Sequence, residues 1–326
     1  MKEKQNPAMT GFATCTMFAV LMGSAVADSN ILPDVPDGVQ AISLLGKPLV
    51  SSPADADTLG KLQAAKKDYD RDPADADNII WYGRRLAYAG DYREAIRVFT
   101  QGISRHAEDP RMYRHRGHRY ISIREVDRAI EDLEHAVKLM EDTGNEMEPD
   151  GLPNAQNIPV STLHGNVWYH LGLAYYLKQD WNNAWRAYQA GFETGGNDDN
   201  RVSTTHWRYM ILRRQGKPAQ ADQVLAEITA DMNVIENDVY HRLCLFYKGE
   251  IPLAEMLSED PDSPTGVAGD YGVANWFWYS GDEEEAVPRL EALAASDGWA
   301  SFGVIAAESD LKALRKKEGT IKGQLP

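Results

Sequence analysis

Apolar side chains recur three and four positions apart through most of this chain, the spacing of an amphipathic helix, and short polar or glycine-bearing turns interrupt the runs. Over 58–71, Leu59, Leu62, Ala65 and Tyr69 keep that spacing and predict a first helix. The stretch 166–192 predicts two helices back to back around a tight polar turn at Gln179 and Asp180. Looser hairpins follow at 200–231, with a turn at Gly216 to Pro218, and at 234–257, with a turn at Gly249 to Pro252 and a shortened second helix. Another spans 271–293 around Gly281 and Asp282, and a last helix over 299–315 is expected to cap the array. Ahead of all of these, 28–57 carries Pro33, Pro36, Pro48 and Pro53 and predicts an extended lead-in packed along the body.

The hairpins repeat. Gly83 and Gly117 lie 34 positions apart, and so do Ala95 and Ala129. Gly172 follows Gly117 by 55, one period plus an excess that maps to 140–160. Trp168, Leu171, Gly172 and Tyr175 fall at W-x2-L-G-x2-Y spacing, with Ala184 and Tyr188 after them. Pattern and period resemble the tetratricopeptide repeat (TPR). The resemblance covers about 77–314 and is strongest in the regular repeats, 77–194. It weakens over the degenerate ones, 200–296. It implies an all-α fold, a right-handed TPR-like solenoid of about six helix-turn-helix hairpins over 58–326. Its concave groove would bind peptides or partner proteins. The family's carboxylate clamp of Lys and Asn has no counterpart here, so that recognition does not carry over. The excess at 140–160 has five acids, three prolines and no basic residue, and predicts an exposed loop between repeats two and three.

Composition adds a compartment. Lys2 and Lys4 precede an apolar run from Gly11 to Met22, and Ala25-Val26-Ala27 offers small residues at a cleavage site. This predicts a signal peptide over 1–27 and a periplasmic or secreted mature chain. The run is too short for a stable membrane span. The formal net charge of −15 argues against nucleic acid as a partner. Cleavage leaves Cys244 as the sole cysteine, in an apolar-rich string that predicts a buried, inert thiol.

Three features bear on function. Residues 84–128 hold eleven arginines, no lysine and six acids. In the usual TPR register Arg84, Arg114 and His118 point into the groove, where guanidinium forks suit a carboxylate or phosphate. The competing reading is a solvated face, or arginines neutralised by the chain's own acids, the insert's included. Second, His115, His170, His206 and His241 recur near the repeat period. They form either a polar stripe for ligand, acid–base or metal chemistry, or packed histidines bonded between helices. Third, aromatic residues crowd the later repeats, and Tyr169, Tyr176 and Trp207 are placed equally in core or groove.

Neither a glycine-rich phosphate loop nor a zinc, redox or serine-nucleophile motif is present, and no cofactor or metal is implied. The leading expectation is an exported, non-enzymatic scaffold for a protein or peptide, with an anionic group as one possible handle. Its ligand would lie along Arg84, Arg114, His118, Tyr169, His170, His206 and His241. The alternative is an enzyme or small-molecule binder with a polar pocket around His206 and His241. Parts of the chain resemble exported bacterial TPR proteins without an assigned function, which transfers no activity.

Overall fold

The computed structural model describes Met1 and residues 32–141, 143–256 and 263–322; of 264 and 318–322 only the backbone is described. The expected signal segment therefore lies, Met1 apart, outside the described residues. The chain divides into Met1–Pro33 and Asp34–Pro326, and the second part carries every element below.

Helix α1 (Ala56–Arg71) leads into the hairpins. These are α2 (Ala76–Tyr88) with α3 (Tyr92–Arg105), α4 (Pro110–Ser122) with α5 (Val126–Met140), and α6 (Leu163–Leu177) with α7 (Trp181–Gly195). They continue with α8 (Asp198–Arg214) and α9 (Pro218–Leu225), then α10 (Asp238–Tyr247) followed by a single 3-10 turn at Leu253–Glu255. The last pair is α11 (Pro264–Tyr279) with α12 (Glu283–Ala295), and α13 (Phe302–Lys322) ends the described chain. The six expected hairpins are present.

Each hairpin turns on one residue with positive φ: Gly90, Arg124, Gln179, Gly216, Gly249 and Gly281. That conformation closes the last turn of the first helix, and only glycine adopts it without steric cost. In the first, third and sixth hairpins the next residue is an aspartate (Asp91, Asp180, Asp282) whose carboxylate accepts a backbone N–H from the second helix. Such a cap satisfies an otherwise orphaned donor and complements the helix dipole.

Packing explains the small residues. A Cβ on Gly83 would lie 2.5 Å from the Phe99 ring, and one on Gly172 would lie 2.7 Å from Tyr188. Ala95, Ala129 and Ala184 are wholly buried opposite them. Aromatic groups fill the later hairpins: Tyr188 stacks on Trp207 at 5.7 Å, and Trp207 meets Tyr176 edge-on at 4.9 Å. Tyr176 and Trp207 are therefore core residues, the first of the two placements their sequence positions left open.

One segment reaches beyond its expected place. The helix expected to cap the array is instead buried on every side from 303 to 311. It packs on α12 and α11 and reaches back to α6. Glu308 meets Arg124 in the turn of the second hairpin, Ser309 donates to the Leu177 carbonyl, and Asp310 meets Arg214 at the end of α8. Buried ion pairs and apolar contacts thus hold α13 along the first helices, where an open solenoid would present its groove. The lead-in does pack along the body, and it also forms a small hairpin, β1 (Ala41–Ile42) against β2 (Pro48–Leu49). Its Leu44 N–H donates to Glu308, and its Val50 carbonyl accepts from the Trp299 indole.

The insert is exposed over most of its length, as expected, and is also anchored to the body. Residues 143–162 form an isolated antiparallel bridge, Met147 with Thr162, and fold against α2, α4 and α6. Met147, Leu152 and Ile158 stay exposed, whereas the Glu148 side chain is only 10% exposed. Glu148 turns inward to pair with Arg114 of α4, and the carbonyls of Pro149 and Gly151 accept from Arg84 and Arg85.

Candidate functional site

Between the insert, the first helices and the start of α13 lies a cavity of about 390 Å³. Arg84 of α2, Arg114 and His118 of α4, and Tyr169 and His170 of α6 all line it. Five of the seven site residues expected from sequence therefore converge. Helical spacing explains this, since positions four apart on α4 and adjacent inner positions of neighbouring helices share one side.

The arginines differ in their partners. Arg114 Nη2 lies 2.9 Å from Glu148 Oε2, with side chains 11% and 10% exposed. Arg114 Nη1 also donates to His115 Nδ1 at 2.8 Å, and the Glu148 carboxylate accepts from Asn166. The insert's own acid thus neutralises Arg114, as the second reading of the arginine run supposed. Arg84 is otherwise placed. Its guanidinium donates to the Pro149 carbonyl at 2.9 Å and to the Tyr88 hydroxyl at 3.4 Å, and it stacks over Trp81. It has no carboxylate partner among the described residues.

His118 and His170 face each other with ring centroids 4.2 Å apart, and Phe302 closes against both, at 5.2 and 5.6 Å. Burial and the neighbouring guanidiniums, Arg119 at His118 and Arg114 at His170, push both imidazoles well below the usual histidine range. His115, stacked on Phe99, is shifted the same way by burial and by Arg114. All three are neutral at pH 7. The Tyr169 hydroxyl accepts from the Trp207 indole and bonds Tyr240, which fixes its ring at the cavity wall.

His206 and His241 stand elsewhere. His206 is 1% exposed, stacks on Tyr247 and bonds its hydroxyl, and burial lowers its pKa to about 3. His241 Nε2 donates to the Thr229 carbonyl at 2.8 Å. Neither lines the cavity, so the polar pocket expected around them does not form. They are interhelical packing groups, placed on α8 and α10 by the same period that suggested a stripe. Lys248, at the end of α10, is taken up by the Ile228 carbonyl and Glu250.

Sequence reasoning missed Phe302, Glu148, Tyr240 and Asp199 as wall residues. Asp199 accepts the backbone N–H groups of Ile235, Glu236 and Asn237, which pins the start of α10 at the cavity's far side. No local signal marks these residues, because they come from the insert, the ends of α8 and α10, and a helix more than 130 positions from His170 in sequence. Among the described residues no group of three or more His, Cys, Asp or Glu gathers in a metal-binding arrangement. No described helix is long and apolar enough to cross a membrane.

The structure is similar to YrrB, a TPR protein with an unusual peptide-binding site, at 16% identity, covering 79% of this chain and 99% of that one, with a TM-score of 0.40. It is also similar to Naa15/Naa10 bound to HypK-THB (15% identity, 82% of this chain and 40% of that one, TM-score 0.35). A third likeness is to the APC/C hetero-tetramer Cut9-Hcn1 (13% identity, 77% and 46%, TM-score 0.34). No family model matches the chain, and no similarity to a curated protein was found. These likenesses concern the fold alone. By the packing of its own hairpins and the 34-residue spacing of the first two, the chain has a TPR-like helical-repeat fold.

Proposed function

We propose that the protein is an exported, non-enzymatic binding scaffold whose cavity receives the end of a peptide or protein segment carrying an anionic group. The observation that carries this reading is Arg84, a cavity-lining guanidinium held by a carbonyl and a hydroxyl and in no ion pair among the described residues, with Asp150 and Glu236 elsewhere on the same wall. A guanidinium in such a place keeps donors free for a planar, bidentate anion. The wall beside it is pre-organised: Arg114 is already neutralised, and the Tyr169 ring is locked by two hydrogen bonds. Pre-organisation lowers the ordering cost of binding. With α13 and the insert filling the rest of the inner side, the reading confines the ligand to a chain end rather than a long groove-bound segment.

The test is capture of partners from an envelope extract by the chain beginning at Asp28. Arg84→Ala is expected to lose captured material at least tenfold while keeping the wild-type unfolding midpoint. Equal capture by both would sink the anion-end reading. N-terminal sequencing of the exported protein checks the cleavage after Ala27.

A further inference from the structure

The two histidines of the cavity have fixed and opposite tautomers. His118 Nδ1 lies 2.5 Å from Arg119 Nη2. A guanidinium only donates, so that nitrogen is an acceptor and the proton of the neutral ring sits on Nε2. His170 Nδ1 lies 2.6 Å from the Asn166 carbonyl. A carbonyl only accepts, so Nδ1 carries the proton and Nε2 presents a lone pair. Burial and the adjacent arginines keep both rings neutral, so the assignment holds at pH 7. Among the described residues neither Nε2 has a hydrogen-bond partner. Both rings line the cavity, 4.2 Å apart at their centroids, over Phe302.

We propose that this pair reads the backbone of one extended ligand residue, with His118 Nε2–H donating to its carbonyl and His170 Nε2 accepting its amide N–H. A residue in extended conformation shows its N–H and C=O on the same side, as strands do when they exchange both bonds with a neighbour. One donor and one acceptor on cavity-lining rings 4.2 Å apart at their centroids suit that arrangement, whereas a bare anion offers acceptors only and leaves the His170 lone pair unused. The proposal deepens the peptide-end reading above and rests on it: the carboxylate goes to Arg84 and the preceding residue to the histidines. Phe302 supplies an apolar floor for a short side chain, so the ligand class is the C-terminal end of a peptide with small residues.

The test uses three probes on the folded protein: N-acetyl-alanyl-alanine, its C-terminal carboxamide, and the ester analogue in which lactate replaces the first alanine and oxygen replaces the N–H. Titrations are followed by the imidazole nitrogen resonances. The ester is expected to bind about tenfold more weakly than the amide, the effect of leaving one buried acceptor unpaired. That gap is expected to fall below about twofold in His170→Phe. The carboxamide separates the two readings. If it binds as tightly as the acid, the Arg84 anion reading fails while the histidine reading stands. Equal affinity of amide and ester, or no binding of any probe at millimolar concentration, overturns the histidine reading. In the free protein, nitrogen chemical shifts must report Nε2–H for His118 and Nδ1–H for His170; the reverse for either residue also overturns it.

Discussion

Arg124 and Glu308, 184 positions apart, form a two-pronged ion pair with Nη2–Oε1 at 2.6 Å and Nε–Oε2 at 3.1 Å. Their side chains are 3% and 1% exposed. Glu308 also accepts the Leu44 N–H, so one carboxylate ties together the N-terminal hairpin, the second repeat and α13. Arg124 occupies the turn position where four of the six hairpins have glycine, and the other exception, Gln179, also reaches α13, through Asp310. The turn residues that depart from glycine are thus the two that clasp the final helix.

These two positions predict opposite outcomes for the same substitution. Glycine relieves a left-handed backbone by about 1 kcal/mol. Removing one partner of a buried ion pair costs about 3–5 kcal/mol. Arg124→Gly is therefore expected to destabilise the protein by roughly 2–4 kcal/mol. Gln179 contributes only a 3.4 Å hydrogen bond, so Gln179→Gly is expected to be neutral or slightly stabilising. Urea denaturation of both variants decides it, and a destabilised Gln179→Gly would refute the comparison.

The insert is expected to depend on one carboxylate. Glu148→Gln leaves Arg114 buried beside Arg84 without its counter-charge. A loss of about 3 kcal/mol is expected, with faster proteolytic cutting between 152 and 158, where most residues are exposed. A cutting rate equal to that of the wild type would show that other contacts hold the loop.

Acid should weaken the fold through its histidines. His115, His118, His170 and His206 are kept neutral by burial, with neighbouring arginines adding to the effect at the first three. Their folded pKa values lie below the unfolded value, so below pH 6.5 the unfolded chain binds protons that the folded chain refuses. Stability is then fully present above about pH 6.5 and falls as pH drops, by up to ~1.4 kcal/mol per unit for each histidine. For His206 the loss continues to about pH 3. Burial raises the carboxyls of Asp132 and Asp310, which oppose this trend at lower pH, so the range from about 6.5 to 5 is the diagnostic one. Stability that stays flat across that range would contradict the buried neutral rings.

Cys244 is expected to be silent in the native state. Its thiol is buried, touches the Val202 carbonyl at 3.7 Å, and is pushed up by desolvation. A chromogenic disulfide reagent should label it only on unfolding, at the unfolding rate. Rapid labelling of the folded protein would place it at an accessible site.

Much of this fold was legible because TPR packing is local. Gly83 against Phe99 and Gly172 against Tyr188 are contacts sixteen positions apart, the same offset within each hairpin. The register that set Gly83 and Gly117 in the core also turned Arg84, Arg114 and His118 inward. The same periodicity misled at His206 and His241. It fixes which side of a helix a residue occupies, but not whether that side faces space or another side chain. Tyr247 and the Thr229 carbonyl, supplied by neighbouring segments, decided those two.

The sequence by itself determined the hairpins, their caps and turns, and the inward face of the first helices, because each depends on residues within one or two turns of each other. Only the tertiary structure decided what fills that inner face. The descent of Glu148 onto Arg114 and the return of α13 to Arg124 and Arg214 are long-range electrostatic matches inside a low-dielectric interior. Their strength depends on desolvation and geometry that no local pattern encodes. The groove of a repeat protein became a small, partly open cavity for that reason, and the chemistry lining it includes Arg84, the carboxylates of Asp150 and Glu236, and a pair of neutral histidines.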